Sequence, residues 1–414
     1  MHHHFHFEND ELYCEDVKLQ DVATDLGTPV YVYSQNTLLD NLAEIESALA
    51  GIDHTVCYAL KANSNEKLLS LLAGQGAGAD VVSAGEIYLA LKSGFPPEKI
   101  VFAGVGKRDD EILFALNRDI LAFNVESAEE LQAINDLAGE ENKKARIGIR
   151  INPDIDIQGH PYIATGKSEN KFGISVSEVP QLLQQLSGLA NVELVGLHCH
   201  TGSQIRVVSP YLAAIKALSQ LKNRVEKEGN TLRYIDIGGG LGVNYEAPFD
   251  KPSLTATELF SEIRADLSAL NCRIIFEPGR SLIANAGVLL TQVLYGKQTR
   301  GKRFVVVDAG MTELIRPSLY NAYHEIVPMK TAPGQPEVKV DVVGPICESG
   351  DFLAKDRTMP EVSRGDLLAV LTVGAYGFSL SSNYNARPRP AEVLVNGGRY
   401  QVIRERGKIE ELWR

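Results

Sequence analysis

Short apolar runs rich in β-branched residues recur along the first two thirds of the chain, and each is followed by a stretch with helical spacing. The runs lie at 55–60 (TVCYAL), 79–82 (ADVV), 100–104 (IVFAG), 120–125 (ILAFNV), 145–151 (ARIGIRI), 194–199 (LVGLHC), 234–238 (YIDIG) and 273–277 (RIIFE). Between them, segments such as NEKLLSLLAGQG, AGEIYLALKSG, ESAEELQAINDLAG and SEVPQLLQQLSG repeat apolar residues every three or four positions and often close on Gly, a common helix stop. Strands that alternate with helices predict a parallel sheet. Eight of them in about 220 residues match the count and size of a closed (β/α)8 TIM-type barrel. A doubly wound open sheet is the other solution.

After residue 277 the texture changes. VLLTQVLYGK, RFVVVDAG, VKVDVVGPI, DLLAVLTVGAYG and AEVLVNGGRYQVIRERG read as strands joined by turns, with NGG as a hairpin signal. TPVYVYS near the start reads as a further strand of the same kind. The expectation is an α/β barrel over 34–276 plus a discontinuous, mostly-β domain made of 1–33 and 277–414. The connection 153–173 shows no periodicity, and loops of that length inside compact domains are usually functional. It reads as a flap over the barrel mouth.

The 414 residues exceed what one core usually serves. At 44% apolar and 23% charged the composition is that of a globular protein. A net charge of −12 argues against nucleic acid or an anionic membrane as the main partner. No run approaches a membrane span and no signal-peptide core is visible. The five cysteines form no disulfide framework and suit a reducing, cytoplasmic setting. The opening MHHHFHF resembles a tag and is set aside.

In a parallel barrel the reactive groups collect at the C-terminal ends of the strands. Those ends carry Lys61 in YALKAN, Arg150 and Asn152, His200, Gly238–Gly240, and Glu277 with Arg280. Each has a plain structural reading: a rim lysine, a core histidine, a tight turn, a salt bridge. His198 and His200 share one strand face, but no carboxylate or third His stands nearby at zinc spacing, so no metal is expected. The Gly-rich turn is neither G-x-G-x-x-G, because Val243 stands where the last Gly would be, nor a P-loop. Taken together the groups specify a cofactor. A lysine condenses with an aldehyde, a Gly turn admits a phosphate, an imidazole stacks on a ring, and a carboxylate pairs with a protonated ring nitrogen. These are the demands of pyridoxal 5'-phosphate.

The stretches YALKAN, HPYIATG, NKFGI, GLHCHTGSQ, DIGGGLG, EPGR, IRPSLYNAYH, GPICESGD and GAYGFSLSSNYN occur in this order. In them the chain resembles the alanine-racemase-like, barrel-type pyridoxal-phosphate decarboxylases over essentially its whole length. Glu277 speaks against a racemase, where an Arg faces the ring nitrogen. The resemblance implies that Lys61 bonds the cofactor aldehyde and His200 stacks on the ring. It implies that Gly238, Gly239, Gly240, Pro278, Gly279 and Arg280 hold the phosphate end and ring, that Glu277 pairs with the ring N–H, and that Tyr376 touches phosphate and substrate. Arg280, Arg316 and Tyr320 are implied as a clamp for the substrate's distal carboxylate, Cys347 as the catalytic proton donor, and Glu348 as the group that recognises the distal amine. The implied activity is decarboxylation of meso-2,6-diaminopimelate to L-lysine, at sites shared between the two copies of a homodimer. Two other readings stay open: a related decarboxylase of another basic amino acid or a carboxylated polyamine, and a non-catalytic cofactor-binding protein.

Overall fold

The computed structural model describes residues 3–153 and 171–412. The flap expected over 153–173 falls mostly on 154–170, outside the described residues, as does the HPYIATG stretch. Backbone contacts divide the chain into two compact units: 42–242 with 253–281, and 1–41 with 243–252 and 282–414.

The first unit is a closed parallel barrel. Its strands are β1 (His54–Ala59), β2 (Gly78–Val81), β3 (Ile100–Phe102), β4 (Ala122–Val125), β5 (Ala145–Asn152), β6 (Val192–His198), β7 (Tyr234–Asp236) and β8 (Arg273–Phe276). Each pairs in parallel with the next, and β8 pairs with β1 to close the ring. All eight expected strands are therefore present, and the closed solution replaces the open sheet. The helices between strands begin on residues the sequence supplies for that purpose. Ser83, Ser127 and Thr255 each accept a hydrogen bond from the backbone N–H of a Glu three residues on. Glu86, Glu130 and Glu258 in turn accept one from the backbone at or just before the cap. Such reciprocal caps satisfy helix N–H groups that have no partner within the helix.

The barrel interior is packed by uneven residue sizes. Tyr234 is buried at the centre of a cluster with Cys57, Val101, Ala122, Val195 and Ile275. Gly148 and Gly196 make room for it: a Cβ on Gly196 would stand 2.2 Å from the Tyr234 ring, and one on Gly148 would stand 2.5 Å from its hydroxyl.

The second unit is mostly β. Its long sheet runs in the order Phe352–Pro360, Glu337–Val343, Lys302–Val307, Gly287–Thr299, Val30–Ser34, Ala391–Asn396, Arg399–Arg404. The expected N-terminal strand sits inside it, antiparallel to Gly287–Thr299 and parallel to Ala391–Asn396. All five of its residues are buried. The NGG hairpin forms, with Asn396 opposite Arg399. Glu15 is buried here and fully engaged: it accepts from the Ser34 hydroxyl, from Asn36 and from the Gly397 N–H. Among the described residues no helix is long and apolar enough to cross a membrane.

The space left for Tyr234 is a testable constraint. Gly196→Ala is expected to cost about 1–3 kcal/mol by overpacking. Gly296→Ala, where nothing lies within 4 Å of the new Cβ, is expected to be near neutral. Thermal unfolding of the two variants decides the point, and equal midpoints would contradict this packing.

Candidate active site

Lys61 stands two residues beyond the end of β1, in a short 3-10 turn, Leu60–Ala62. The turn is held from below: the Tyr58 hydroxyl donates to the Asn63 carbonyl, and the Asn63 side chain accepts from the Asn65 N–H. Asn65 then caps the following helix, Glu66–Gly74. The Asn after the lysine is thus a shaping residue. Lys61 Nζ bonds Asp80 Oδ2 at 2.7 Å. The lysine side chain is 42% exposed and the aspartate 1%, so the amine faces the mouth while its counter-charge is buried.

Glu277 follows β8 and is buried. Its Oε2 lies 3.2 Å from His198 Nε2 at the end of β6. Asp236, at the end of β7, is close by: one oxygen of each carboxylate and a His198 ring nitrogen lie within 4.8 Å of one another. Two adjacent buried carboxylates cannot both ionise cheaply. The proton belongs to Asp236: burial, then the charge of Glu277, push its carboxyl well up. Burial acts on Glu277 in the same direction, but the neighbouring His198, Asp236 and Lys61 outweigh it and hold that carboxyl down.

His200 carries its own constraint. Its Nδ1 accepts from the Gly239 N–H at 3.2 Å, which puts the ring proton on Nε2. Burial, with Arg150 and Lys61 adding positive charge, lowers its pKa to about 3. The ring is a neutral, flat surface at working pH. Arg150 itself is buried and bonds Glu126 Oε1 at 2.8 Å.

The Gly238–Gly240 turn needs its glycines for a reason the sequence did not show. Gly238 and Gly240 have φ of +66° and +97°. A Cβ on Gly239 would stand 1.9 Å from the Glu277 carbonyl oxygen, and one on Gly240 would stand 2.2 Å from the Gly202 carbonyl oxygen. The Gly238 N–H donates to Asp236 Oδ1 at 2.8 Å, so two N–H groups of the turn are committed to side chains that shape the Glu277 cluster. The EPGR segment closes the ring of contacts. The Pro278 carbonyl accepts from the Ala59 N–H, Gly279 packs against Ala59 and Ala62, and Arg280 bonds the Ser203 hydroxyl through Nε and Nη2.

The fold therefore brings together Lys61, His200, Gly238–Gly240, Glu277, Pro278, Gly279 and Arg280 in the barrel unit. Sequence reasoning missed Asp80, Asp236 and Ser203. The first two had a signal, an acid inside an apolar strand run. Pyridoxal phosphate fits this set. Glu277 Oε1, Asp236 Oδ2 and both His198 ring nitrogens lack a well-formed hydrogen bond among the described residues, and buried groups in that condition are costly. A cationic ring N–H against the ionised Glu277 would relieve that. His198, Asp236 and Glu277 also bring one donor atom each within 4.8 Å of one another. A proton on Asp236 and the His198 contact account for that approach without a metal.

The remaining expected residues lie in the β unit. Arg316 opens the short helix Arg316–Tyr320 and is buried; Tyr320, at its end, is half-buried. Cys347 and Glu348 are exposed on the loop after Glu337–Val343. Asp351, another residue the sequence reading passed over, builds that loop: its two oxygens accept from the N–H groups of Met311 and Ile346, each at 2.6 Å. The Cys347 N–H donates to Asn385 Oδ1 at 2.8 Å. Tyr376 has φ of +57° and Thr372 of +59°, conformations rare for bulky and β-branched residues and concentrated at functional loops.

Comparison with known proteins agrees with this geometry. Residues 36–284 match the family model described as "Pyridoxal-dependent decarboxylase, pyridoxal binding domain". The chain is 49% identical to a diaminopimelate decarboxylase of Aquifex aeolicus over 400 residues, 97% of this chain and 94% of that one. It is 46% identical to the one from Pseudomonas aeruginosa, covering 99% and 97%. The crystal structure of diaminopimelate decarboxylase from Helicobacter pylori complexed with L-lysine superposes with a TM-score of 0.90 at 43% identity, covering 96% of this chain and 98% of that one.

The assignment of the proton to Asp236 has a direct consequence. Asp236→Asn keeps a neutral donor and is expected to hold pyridoxal phosphate within about threefold of the parent affinity. Asp236→Leu, which removes the donor, is expected to weaken it by tenfold or more, on the order of one charge-assisted hydrogen bond. Absorbance titration of the two variants measures this. A loss as large for Asn as for Leu would show that Asp236 acts as an anion.

Proposed function

The chain belongs to the diaminopimelate decarboxylase family of pyridoxal-dependent decarboxylases, and on that footing we propose that it converts meso-2,6-diaminopimelate to L-lysine and CO2, the closing step of lysine biosynthesis. The observation that carries the reading is the barrel mouth, where an accessible amine paired with a buried acid stands with an ionised carboxylate held at the end of the last strand. Pyridoxal 5'-phosphate, when bound, supplies the electron sink that accepts the pair left by departing CO2.

The chain's own residues do the rest. Lys61 is the amine that would hold the cofactor's aldehyde end. Asp80 keeps the lysine aimed and charge-balanced between turnovers. Glu277 keeps a proton on the ring nitrogen by ion pairing where the dielectric is reduced. That task needs an acid which stays ionised although buried, and the Asp236 and His198 contacts provide for it. The neutral His200 ring would offer the cofactor a flat surface without adding positive charge. Gly238–Gly240, Gly279 and Arg280 serve the phosphate end.

Arg316, Tyr320, Glu348, Cys347 and Tyr376 are the residues we propose for substrate. Arg316 grips the distal carboxylate by its planar fork, with Arg280 assisting; Glu348 recognises the distal amine; Tyr376 contacts phosphate and substrate. Cys347 returns the proton that replaces CO2. A thiol carries a proton that it can donate as a general acid. Cys347 and Glu348 are exposed in the single chain, which suits residues that complete the site of a second copy. We therefore propose a homodimer with shared sites, working in the cytoplasm.

Purified protein supplied with pyridoxal phosphate and meso-2,6-diaminopimelate is expected to release CO2 and L-lysine in equal amounts. Lysine and ornithine, which lack the distal carboxylate, are expected to be poor substrates. Arg316→Ala is expected to raise KM by roughly 10- to 100-fold, the loss of a charge-assisted contact. Product analysis that finds CO2 from lysine or ornithine but not from diaminopimelate overturns the substrate and leaves the cofactor reading standing.

A further inference from the structure

The IRPSLYNAYH stretch contains a histidine that none of the roles above uses. His324 is fully buried, with 0% exposure. Its Nδ1 lies 3.0 Å from the Leu371 carbonyl oxygen. A carbonyl only accepts, so Nδ1 carries the proton and Nε2 presents a lone pair. That lone pair meets Arg316 Nη1 at 2.8 Å. The guanidinium, 6% exposed, also lies over the Tyr245 ring, 4.7 Å from its centroid. Tyr245 meets the His324 ring edge-on at 5.1 Å and 79°. The three side chains meet within the β unit: an arginine, a face for it to rest on, and a neutral acceptor for one of its N–H donors.

We propose that His324 is a positioning residue that fixes the plane and reach of Arg316 for a carboxylate on the substrate, with Tyr245 as the platform. This rests on the reading of Arg316 as the distal-carboxylate clamp. A long side chain loses rotamer freedom when it grips a ligand. Holding the guanidinium beforehand removes that cost from the binding step. The acceptor has to be neutral, because an imidazolium would have no lone pair for Arg316 and would repel it. The Leu371 carbonyl sets that tautomer. The anchor is rigid: the Leu371 N–H bonds the Glu325 carbonyl, and the strand that follows His324, Ile326–Pro328, pairs with Leu367–Val370. The turn that brings His324 back to Arg316 passes through Asn321 in the left-handed region, φ +51°.

Three substitutions separate the contacts. The amide of Gln reaches the place of Nε2 and can still accept from Arg316. The shorter Asn amide reaches the place of Nδ1, so it can keep the Leu371 contact but not the Arg316 contact. Phe keeps only the ring. With cofactor-loaded enzyme and meso-2,6-diaminopimelate, His324→Phe and His324→Asn are expected to raise KM by about tenfold or more while kcat stays within about threefold. His324→Gln is expected to restore KM to within about threefold of the parent. Active-site content is normalised by cofactor absorbance, so a variant that only folds poorly alters content and not KM. Should His324→Phe fail to fold, the Asn and Gln pair decides. Equal KM for Asn and Gln, or an effect confined to kcat, overturns the proposal. Arg316→Ala distinguishes it from its premise: if that change leaves KM untouched, the clamp reading is wrong; if it raises KM while His324→Asn does not, the clamp stands and the positioning role falls.

Discussion

A charged group at the end of a closed apolar barrel has to be paired, and that requirement organises the barrel unit. Five strand ends contribute ionisable groups to one small region: Lys61 after β1, Asp80 in β2, His198 in β6, Asp236 in β7 and Glu277 after β8. Three acids with one exposed amine and one imidazole do not balance unless a carboxyl takes a proton. Burial and the charge of Glu277 push the Asp236 carboxyl up while His198 and Lys61 hold that of Glu277 down, so Asp236 is the acid that takes the proton. An acid kept charged in a buried place is what a protonated pyridine nitrogen needs opposite it, because the same ion pair in water would be worth far less. The chemistry of the family therefore follows from how the strand ends share their protons.

The glycines and the loops of the β unit show a second constraint, close backbone approach. Gly239 lies against the Glu277 carbonyl and Gly240 against that of Gly202, so a side chain at either would displace the segment carrying the key acid. Asp351 plays the corresponding part for the Cys347 loop, drawing in two backbone N–H groups and leaving the thiol outward. In both places a conformation is set by backbone and carboxylate contacts away from the proposed reacting groups.

Much of this was legible in the sequence. The barrel was, because strand and helix periods alternate cleanly and the helical stretches often close on Gly. The N-terminal strand of the β unit was legible from TPVYVYS, and the hairpin from NGG. Lys61, Glu277 and Arg280 were legible because charges at the ends of apolar runs demand an explanation. Asp80 and Asp236 were not, since a single acid inside ADVV or YIDIG also suits a strand with one wet position; only barrel closure shows that neither acid reaches water. The Gly turn was read as a phosphate cradle or a tight turn, and the backbone contacts that require it join segments distant along the chain. His324 was equally opaque. Its value depends on the reversal at Asn321, on a carbonyl from Leu371 and on a ring from Tyr245, and no spacing rule connects those three.

The account rests on Lys61 and Glu277 gripping opposite ends of one aromatic aldehyde in the barrel mouth. Reduction of the pyridoxal-phosphate-loaded protein with borohydride, followed by peptide mapping by mass spectrometry, tests it most directly. A single pyridoxyl adduct on Lys61 is the result expected. An adduct on another lysine, or none, would contradict the account at its root.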